Sequence, residues 1–329
     1  MRNHVLDAAK IIAAYAVIFL HVHYPGVSGD MINILMRFAV PFFFLVSGYF
    51  CYSNKGNINQ KMPAKIRHIL KLTVFSLIFY IVWGFLYRMS KGEDAIQWVG
   101  DLVQKQYIRE FILYNSTSPV KYHLWFLVAL LYCYLIFWTV EHFHLHAAAG
   151  ILIPVLLAGN FYLGEGAALR GTAFRAMYYR NWIFTGLPFF MLGYWIHCRE
   201  NVIRKHMNRK VLYLGVICGI FLTIMEYFRV GKQELFIGTV ISVCCLFIWC
   251  VLSQDIMLPG WLTETGRNDA FLIYLLHPAV WEAWKDTVGV MGVTGEFWFV
   301  WSAPVLVCIF TTILAECVRF AVHFWKNVI

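Results

Sequence analysis

The sequence predicts an all-α fold, a polytopic transmembrane helical bundle of about ten spans in a single domain over residues 1–329. Three observations carry that expectation. Of the 329 residues, 60% are hydrophobic and 14% charged, against roughly 45–50% and 25% in soluble domains. Aromatic residues make up 18%, and so much apolar surface exceeds what one soluble core of this length buries. The apolar residues also gather into runs of about 20, the length that crosses a bilayer as a helix. Disordered chains, secreted disulfide scaffolds and ordinary cytosolic enzymes are excluded. The net charge of +9 belongs to cytoplasmic loops in such a chain, not to a nucleic-acid surface. Nine cysteines form no C-x-x-C pair and lie mostly in apolar runs, where they pack as small hydrophobes. The first apolar run carries polar residues that a signal core would avoid, so no secretory signal is expected.

The spans follow in order: Val5–Tyr24, Met31–Cys51, Ile69–Tyr87, Leu124–Val140, Ala147–Leu163, Trp182–Cys198, Val211–Phe228, Leu235–Leu252, Ala270–Trp284 and Phe297–Phe324. The fifth contains Pro154 and Gly159, and the ninth is short and contains His277-Pro278, so either is a place for a re-entrant or broken helix. The segment Ser53–Lys71 carries Lys55, Lys61, Lys65, Arg67 and Lys71 without an acid. Arg199–Lys210 carries five basic residues against Glu200. Ten spans put both on one side, which the positive-inside rule makes cytoplasmic, together with both termini. Glu282–Glu296, with three acids, then falls outside. Gly164–Asn181 with three arginines and the net acidic Ser253–Asp269 run against that pattern. In the long polar connection Arg88–Tyr122, the stretch Gly92–Leu113 alternates aromatics with charges and predicts an interfacial helix.

Ionisable residues inside spans are the informative ones, because a bilayer penalises them. Lys10 and His21 are eleven residues apart in the first span. That is three turns plus about 20°, so they share a face about 16 Å apart along the axis. Asp7 stands at i,i+3 to Lys10. Arg37 opens the second span, where it needs an anionic or dipolar partner or must snorkel outward, and Pro41 and Gly48 allow a kink or a close helix contact. His123 opens the fourth span and His277 lies in the outward half of the ninth. His21, Arg37, His123 and His277 are thus expected at one depth below the outer surface. His142-x-His144-x-His146 does not converge on a helix, and no Asp or Cys stands at ligand spacing, so no metal is expected. Soluble catalytic motifs such as a P-loop, a G-x-S-x-G elbow or H-E-x-x-H are missing.

Lys10, ten residues and then His21, within Leu6-Asp7-Ala8-Ala9-Lys10…Leu20-His21, resembles the opening motif of the acyltransferase-3 family of integral membrane acyltransferases. The family commonly has Arg at the basic position. Lys10 keeps the charge but loses the bidentate fork. Four further segments follow in the family's order: Arg37-Phe38-Ala39-Val40-Pro41-Phe42-Phe43-Phe44-Leu45-Val46-Ser47-Gly48-Tyr49, then Lys65-x-Arg67-His68-Ile69-Leu70-Lys71, then His123-Leu124-Trp125-Phe126-Leu127, and Gly186-Leu187-Pro188-Phe189-Phe190-Met191-Leu192-Gly193. Ile273-Tyr274-Leu275-Leu276-His277-Pro278 completes the set. The second-span signature also resembles the membrane domain of VanT-type membrane serine racemases. In those a cytoplasmic racemase follows the spans, so a soluble domain beyond Ile329 is an expectation.

The resemblance implies transfer of an acetyl group from cytoplasmic acyl-CoA to a hydroxylated acceptor outside or in the cell envelope. Acetyl-CoA is the donor, with no metal and no nucleic acid involved. It places Lys10, Lys65, Arg67 and Lys71 at the CoA phosphates and His21 as general base or transient acyl carrier. Arg37 serves the oxyanion or an anionic acceptor. His277 completes the catalytic set, and His123, Trp125 and Tyr274 position the acceptor. Asp7, about 20 Å from His21, is too distant to orient its imidazole. The competing expectation is a membrane transport or binding domain for a small substrate such as serine, joined to a racemase.

Overall fold

The computed structural model describes residues 3–52, 58–292 and 294–328. Every regular element among the described residues is helical: α1 (His4–His21), α2 (Gly26–Met36), α3 (Ala39–Tyr49), α4 (Ile58–Ser90), α5 (Ala95–Asp101), α6 (Lys105–Tyr114), α7 (Trp125–His142), α8 (His146–Leu163), α9 (Glu165–Leu169), α10 (Leu187–Cys198), α11 (Glu200–His206), α12 (Arg209–Val230), α13 (Ile237–Leu252), α14 (Gly260–Asn268), α15 (Ala270–Val290) and α16 (Phe297–Val328). Seven helical stretches among them are long and apolar enough to cross a membrane. The expected sixth, eighth and ninth spans fall outside that set. Trp182–Cys198 and Ile237–Leu252 are short, and α15 carries charge toward its end.

Several boundaries differ from the sequence reading, each for a local reason. The second span is two helices broken at Arg37-Phe38. Pro41 has no N–H to give the Arg37 carbonyl, which loses its helical partner. The basic segment before the third span is not a loop beyond Ile58, because Lys61–Lys71 form the first turns of α4; Lys55 lies outside the described residues. The fifth and ninth spans run unbroken through Pro154 and Pro278. The interfacial segment is two short helices, α5 and α6. Trp98 of α5 is buried beneath the Arg88 guanidinium, 4.1 Å from its ring centre. Helices α11 and α14 occupy connections read as loops.

The chain forms two compact units. The first comprises residues up to Phe43 and from Arg204 onward. Its axis is α1, whose buried Ala8, Ala13, Ala14 and Ala16 let neighbouring backbones approach closely. The closest approach is to α14. A side chain at Gly266 would stand 1.9 Å from the Asp7 carbonyl oxygen, so only glycine fits. Ile11, Ala14, Ile18 and Val22 pack with Ala270 and Ile273 of α15 and with Ala303 and Val307 of α16.

The second unit spans Phe44–Ile203. Here Gly48 of α3 and Gly193 of α10 let the two backbones touch: a β-carbon would lie 1.8 Å from the Phe190 carbonyl oxygen or 2.1 Å from that of Leu45. This is the close contact expected of Gly48. Around it Phe44, Phe126, Phe137 and Phe190 form a tilted aromatic core.

Candidate functional site

Helix α1 begins where Asn3 accepts a hydrogen bond from the Leu6 N–H at 2.9 Å, a side-chain N-cap. Its amide also donates to the Cys250 carbonyl at 3.0 Å, tying the start of α1 to α13. One turn in, Lys10 and Asp7 form the expected i,i+3 ion pair at 2.7 Å, both largely buried. His21 is the last residue of α1, so Lys10 and His21 sit about 16 Å apart on one helix face.

His21 meets His277. Their ring centres are 5.2 Å apart with planes at 36°. His277 is fully buried, and its Nδ1 lies 2.8 Å from the Tyr274 carbonyl oxygen. The next residue explains this bond. Pro278 has no N–H to donate to the carbonyl four residues back, which is that of Tyr274. The imidazole supplies the missing donor. Since a carbonyl only accepts, Nδ1 carries the proton, and in the neutral ring Nε2 is the basic nitrogen. The His277-Pro278 pair therefore holds one imidazole in a fixed tautomer beside another.

Arg37 has an anionic partner, Glu234, on the turn between α12 and α13, at 2.7 Å. Two residues earlier on that turn, Lys232 pairs with Asp30 of α2, which also accepts from the Tyr227 hydroxyl at 3.1 Å. Asp30 and Arg37 are two helical turns apart, so the turn is pinned to α2 by two ion pairs of opposite polarity. Between His21 and α2, His23 Nδ1 lies 3.0 Å from the Asn33 amide nitrogen. Although its ring is exposed, partial burial and the nearby Lys232 and Arg37 hold His23 below the ordinary imidazole range.

Three acids were not singled out by the sequence reading. Glu234 lies just outside a span and carries no motif. Glu226 lies inside one, and its position among apolar residues was the available signal. It is buried and accepts from the Gly238 N–H at 3.0 Å, capping α13. Asp269, fully buried ahead of α15, pairs with Arg319 of α16 at 2.8 Å.

His123, Trp125, Lys65, Arg67 and Lys71 belong to the second unit, whereas His21, Arg37, His277, Tyr274 and Lys10 belong to the first. His123 is buried edge-on against Tyr80 at 5.0 Å. Trp125 is buried with the Arg180 guanidinium 5.1 Å above it; the same guanidinium lies 3.9 Å over Tyr122. Lys65 donates to the Phe50 carbonyl at 2.7 Å, at the carboxyl end of α3, where a cation suits the helix dipole. Arg67 and Lys71 are exposed along α4. Tyr274 is buried and contributes its carbonyl to His277. His146 stacks on Tyr194 and lies 3.7 Å from Glu141; no group of three metal-ligating side chains is found among the described residues.

The chain matches the family model described as an acyltransferase domain over residues 3–317. It is 26% identical over 304 residues to an amino-acid racemase of Enterococcus faecalis, covering 86% of this chain and 40% of that protein. It is 32% identical over 141 residues to a serine/alanine racemase of Enterococcus gallinarum, covering 40% of this chain and 18% of that protein. The chain thus spans less than half the length of either relative. No solved structure matches it. With a family match over both units and several membrane-length apolar helices, this multi-pass membrane protein belongs to the acyltransferase-3 family.

Proposed function

We propose that the protein is a membrane O-acyltransferase that moves an acetyl group from cytoplasmic acetyl-CoA to a hydroxylated acceptor at the outer face or in the cell envelope. The observation that carries this reading is the His21–His277 contact, a titratable pair in an apolar helix bundle. His21 takes the acceptor's hydroxyl proton as its oxygen attacks the thioester carbonyl carbon. The C–S bond then breaks, and the protonated imidazole returns the proton to the departing thiolate. His277, its Nδ1 committed to a carbonyl, steadies the His21 ring. A transient acyl-His21 would divide the same transfer into two steps. Arg37 stabilises the oxyanion while Glu234 sets its orientation. In the first unit Lys10 serves the phosphates of the donor and Tyr274 the acceptor; in the second unit Lys65, Arg67 and Lys71 offer cations to a phosphate, and His123 and Trp125 an aromatic face to an acceptor. Ten crossings, a single transmembrane domain and cytoplasmic termini complete this reading.

The likeness to two racemases favours a second reading, a transport or binding domain for a small substrate such as serine, attached to a cytoplasmic racemase. Thiol release from acetyl-CoA by purified protein, measured beside serine flux into proteoliposomes, separates the two. Acyl transfer predicts thiol release that His21→Ala reduces by roughly 10²–10⁴-fold. Flux without CoA consumption overturns it.

A further inference from the structure

We propose that the second unit seats a few methylenes of one acyl chain of an anionic phospholipid in a cleft between α7, α8 and α10, with the headgroup at Arg199 and the histidines of the α7–α8 turn. The cleft has a volume of about 100 Å³, and Val140, Leu145, Ala148, Leu152, Leu156 and Met191 are among the residues that line it. All of these are apolar. A space of that size has room for water, but a buried water needs two to four polar partners, and this wall offers none. Ala148 and Ala149 are the smallest residues of the cleft's lining. Its α8 side is open, with Leu145, Ala148 and Leu152 exposed, and Ile151 and Val155 beside them also face outward. These residues lie on a stretch apolar and long enough to cross a bilayer. The surroundings that reach the opening are therefore hydrocarbon, and a lipid chain is the occupant that matches the wall.

One end of the cleft is polar, and its exposed groups are donors. Val140 and Leu145 flank the α7–α8 turn, where His142 and His144 are exposed. The Arg199 guanidinium sits 5.2 Å over the Trp195 ring. That ring packs against Gly150, next to the lining Ala149. Two acids stand at this end, and both are engaged: buried Glu141 lies 3.7 Å from His146, and Glu200, beside Arg199, accepts from the Tyr49 hydroxyl at 2.6 Å. A guanidinium and two imidazoles at the rim suit a phosphodiester that carries net charge. The histidine motif thereby gains a use that metal binding did not supply. In the orientation proposed above, this end faces the cytoplasmic leaflet, whose surface is anionic. Neither His21 nor His277 takes part, so the lipid site stands or falls separately from acyl transfer.

The test uses the full chain purified in detergent, exposed to dioleoylphosphatidylglycerol or dioleoylphosphatidylcholine and read by native mass spectrometry and thermal unfolding. One phosphatidylglycerol should be retained, with about fivefold preference over phosphatidylcholine, the effect of one basic residue near a charged headgroup. Ala148→Trp fills the cleft and should cut retention at least tenfold. Arg199→Gln, at an exposed position outside the core, should abolish the preference while leaving a chain bound; it keeps the test decisive if Ala148→Trp does not fold. Equal retention of both lipids by the native protein, or undiminished retention by a folded Ala148→Trp variant, overturns the proposal.

Discussion

Two regions of this protein bury polar groups in opposite ways. In the first unit, ionisable side chains carry the burden: Arg37 with Glu234, both mostly buried, and the fully buried Asp269 with Arg319, while Asp30 and Lys232 pair at the surface. In the second unit, near the start of α10, the corresponding work falls mainly to amides, beside one buried acid, Glu110, that pairs with Arg175 at 3.0 Å. Asn115 accepts from the Trp182 N–H at 2.9 Å and donates to the Trp125 carbonyl at 3.2 Å. Asn181 caps the π-helical turn Trp182–Gly186 by accepting from Ile183 and Phe184. Asn160 donates to the Phe184 carbonyl at 3.3 Å, which has lost its helical partner because Pro188 stands four residues on. A neutral amide satisfies backbone groups without the desolvation that a charge suffers, and it makes a permanent joint. An ion pair in apolar surroundings is a costlier way to hold helices together. Its retention beside two histidines points to chemistry at that corner and to architecture at the other.

The sharpest way to break this contrast is catalytic. His277→Ala should lose turnover and stability together, because it leaves the buried Tyr274 carbonyl unpaired, whereas His21→Ala, at a half-buried position, should lower thiol release by roughly 10²-fold or more with the melting temperature of the detergent-solubilised protein nearly unchanged. Asn181→Ala should do the reverse. Losing the cap and leaving buried N–H groups unpaired should destabilise the fold by roughly 2–3 kcal/mol, seen as a lower melting temperature, while the folded fraction keeps its turnover per molecule. If Asn181→Ala instead abolishes turnover in folded protein, the division between chemistry and architecture fails.

A finer test concerns Arg37 and Glu234. Glu234→Gln should cost turnover about tenfold. The exchange of Arg37→Glu with Glu234→Arg should restore thermal stability but not turnover. Recovery of both would make the pair purely structural. The smallest effect is a pH dependence at His23. Its affinity for protons is lower in the folded than in the unfolded chain, so the unfolded state binds more protons as the pH falls below the ordinary imidazole value. Stability contributed there is full above about pH 6.5 and declines toward pH 5. Thermal unfolding across that range should show the decline in the native protein and a weaker one in His23→Gln.

Much of this site was legible from residue order. The Lys10–His21 stripe and the Asp7–Lys10 pair follow from helical period alone, because all three residues share one helix. The His277-Pro278 dipeptide marked a place where a helix could break, and only the structure shows the imidazole bonding the Tyr274 carbonyl that Pro278 leaves free. Glu234 was not legible, because an acid just outside a span looks like any polar loop residue until the turn between α12 and α13 is seen against α2. The continuity of α8 and α15 through their prolines was misjudged for a related reason: neighbouring helices support a proline-containing helix that an isolated segment would break.

By itself the sequence determined that the chain is helical and membrane-bound, since composition and run length leave the backbone no other way to satisfy its hydrogen bonds in lipid. It also determined the face that Lys10 and His21 share, because that depends on a local period. Only the tertiary structure decided which ionisable groups meet. The contacts of His21 with His277, Arg37 with Glu234 and Asp269 with Arg319 join residues 256, 197 and 50 positions apart, and the packing of α1 on α15, of α2 on the α12–α13 turn and of α15 on α16, not any local rule, brings them within reach of one another.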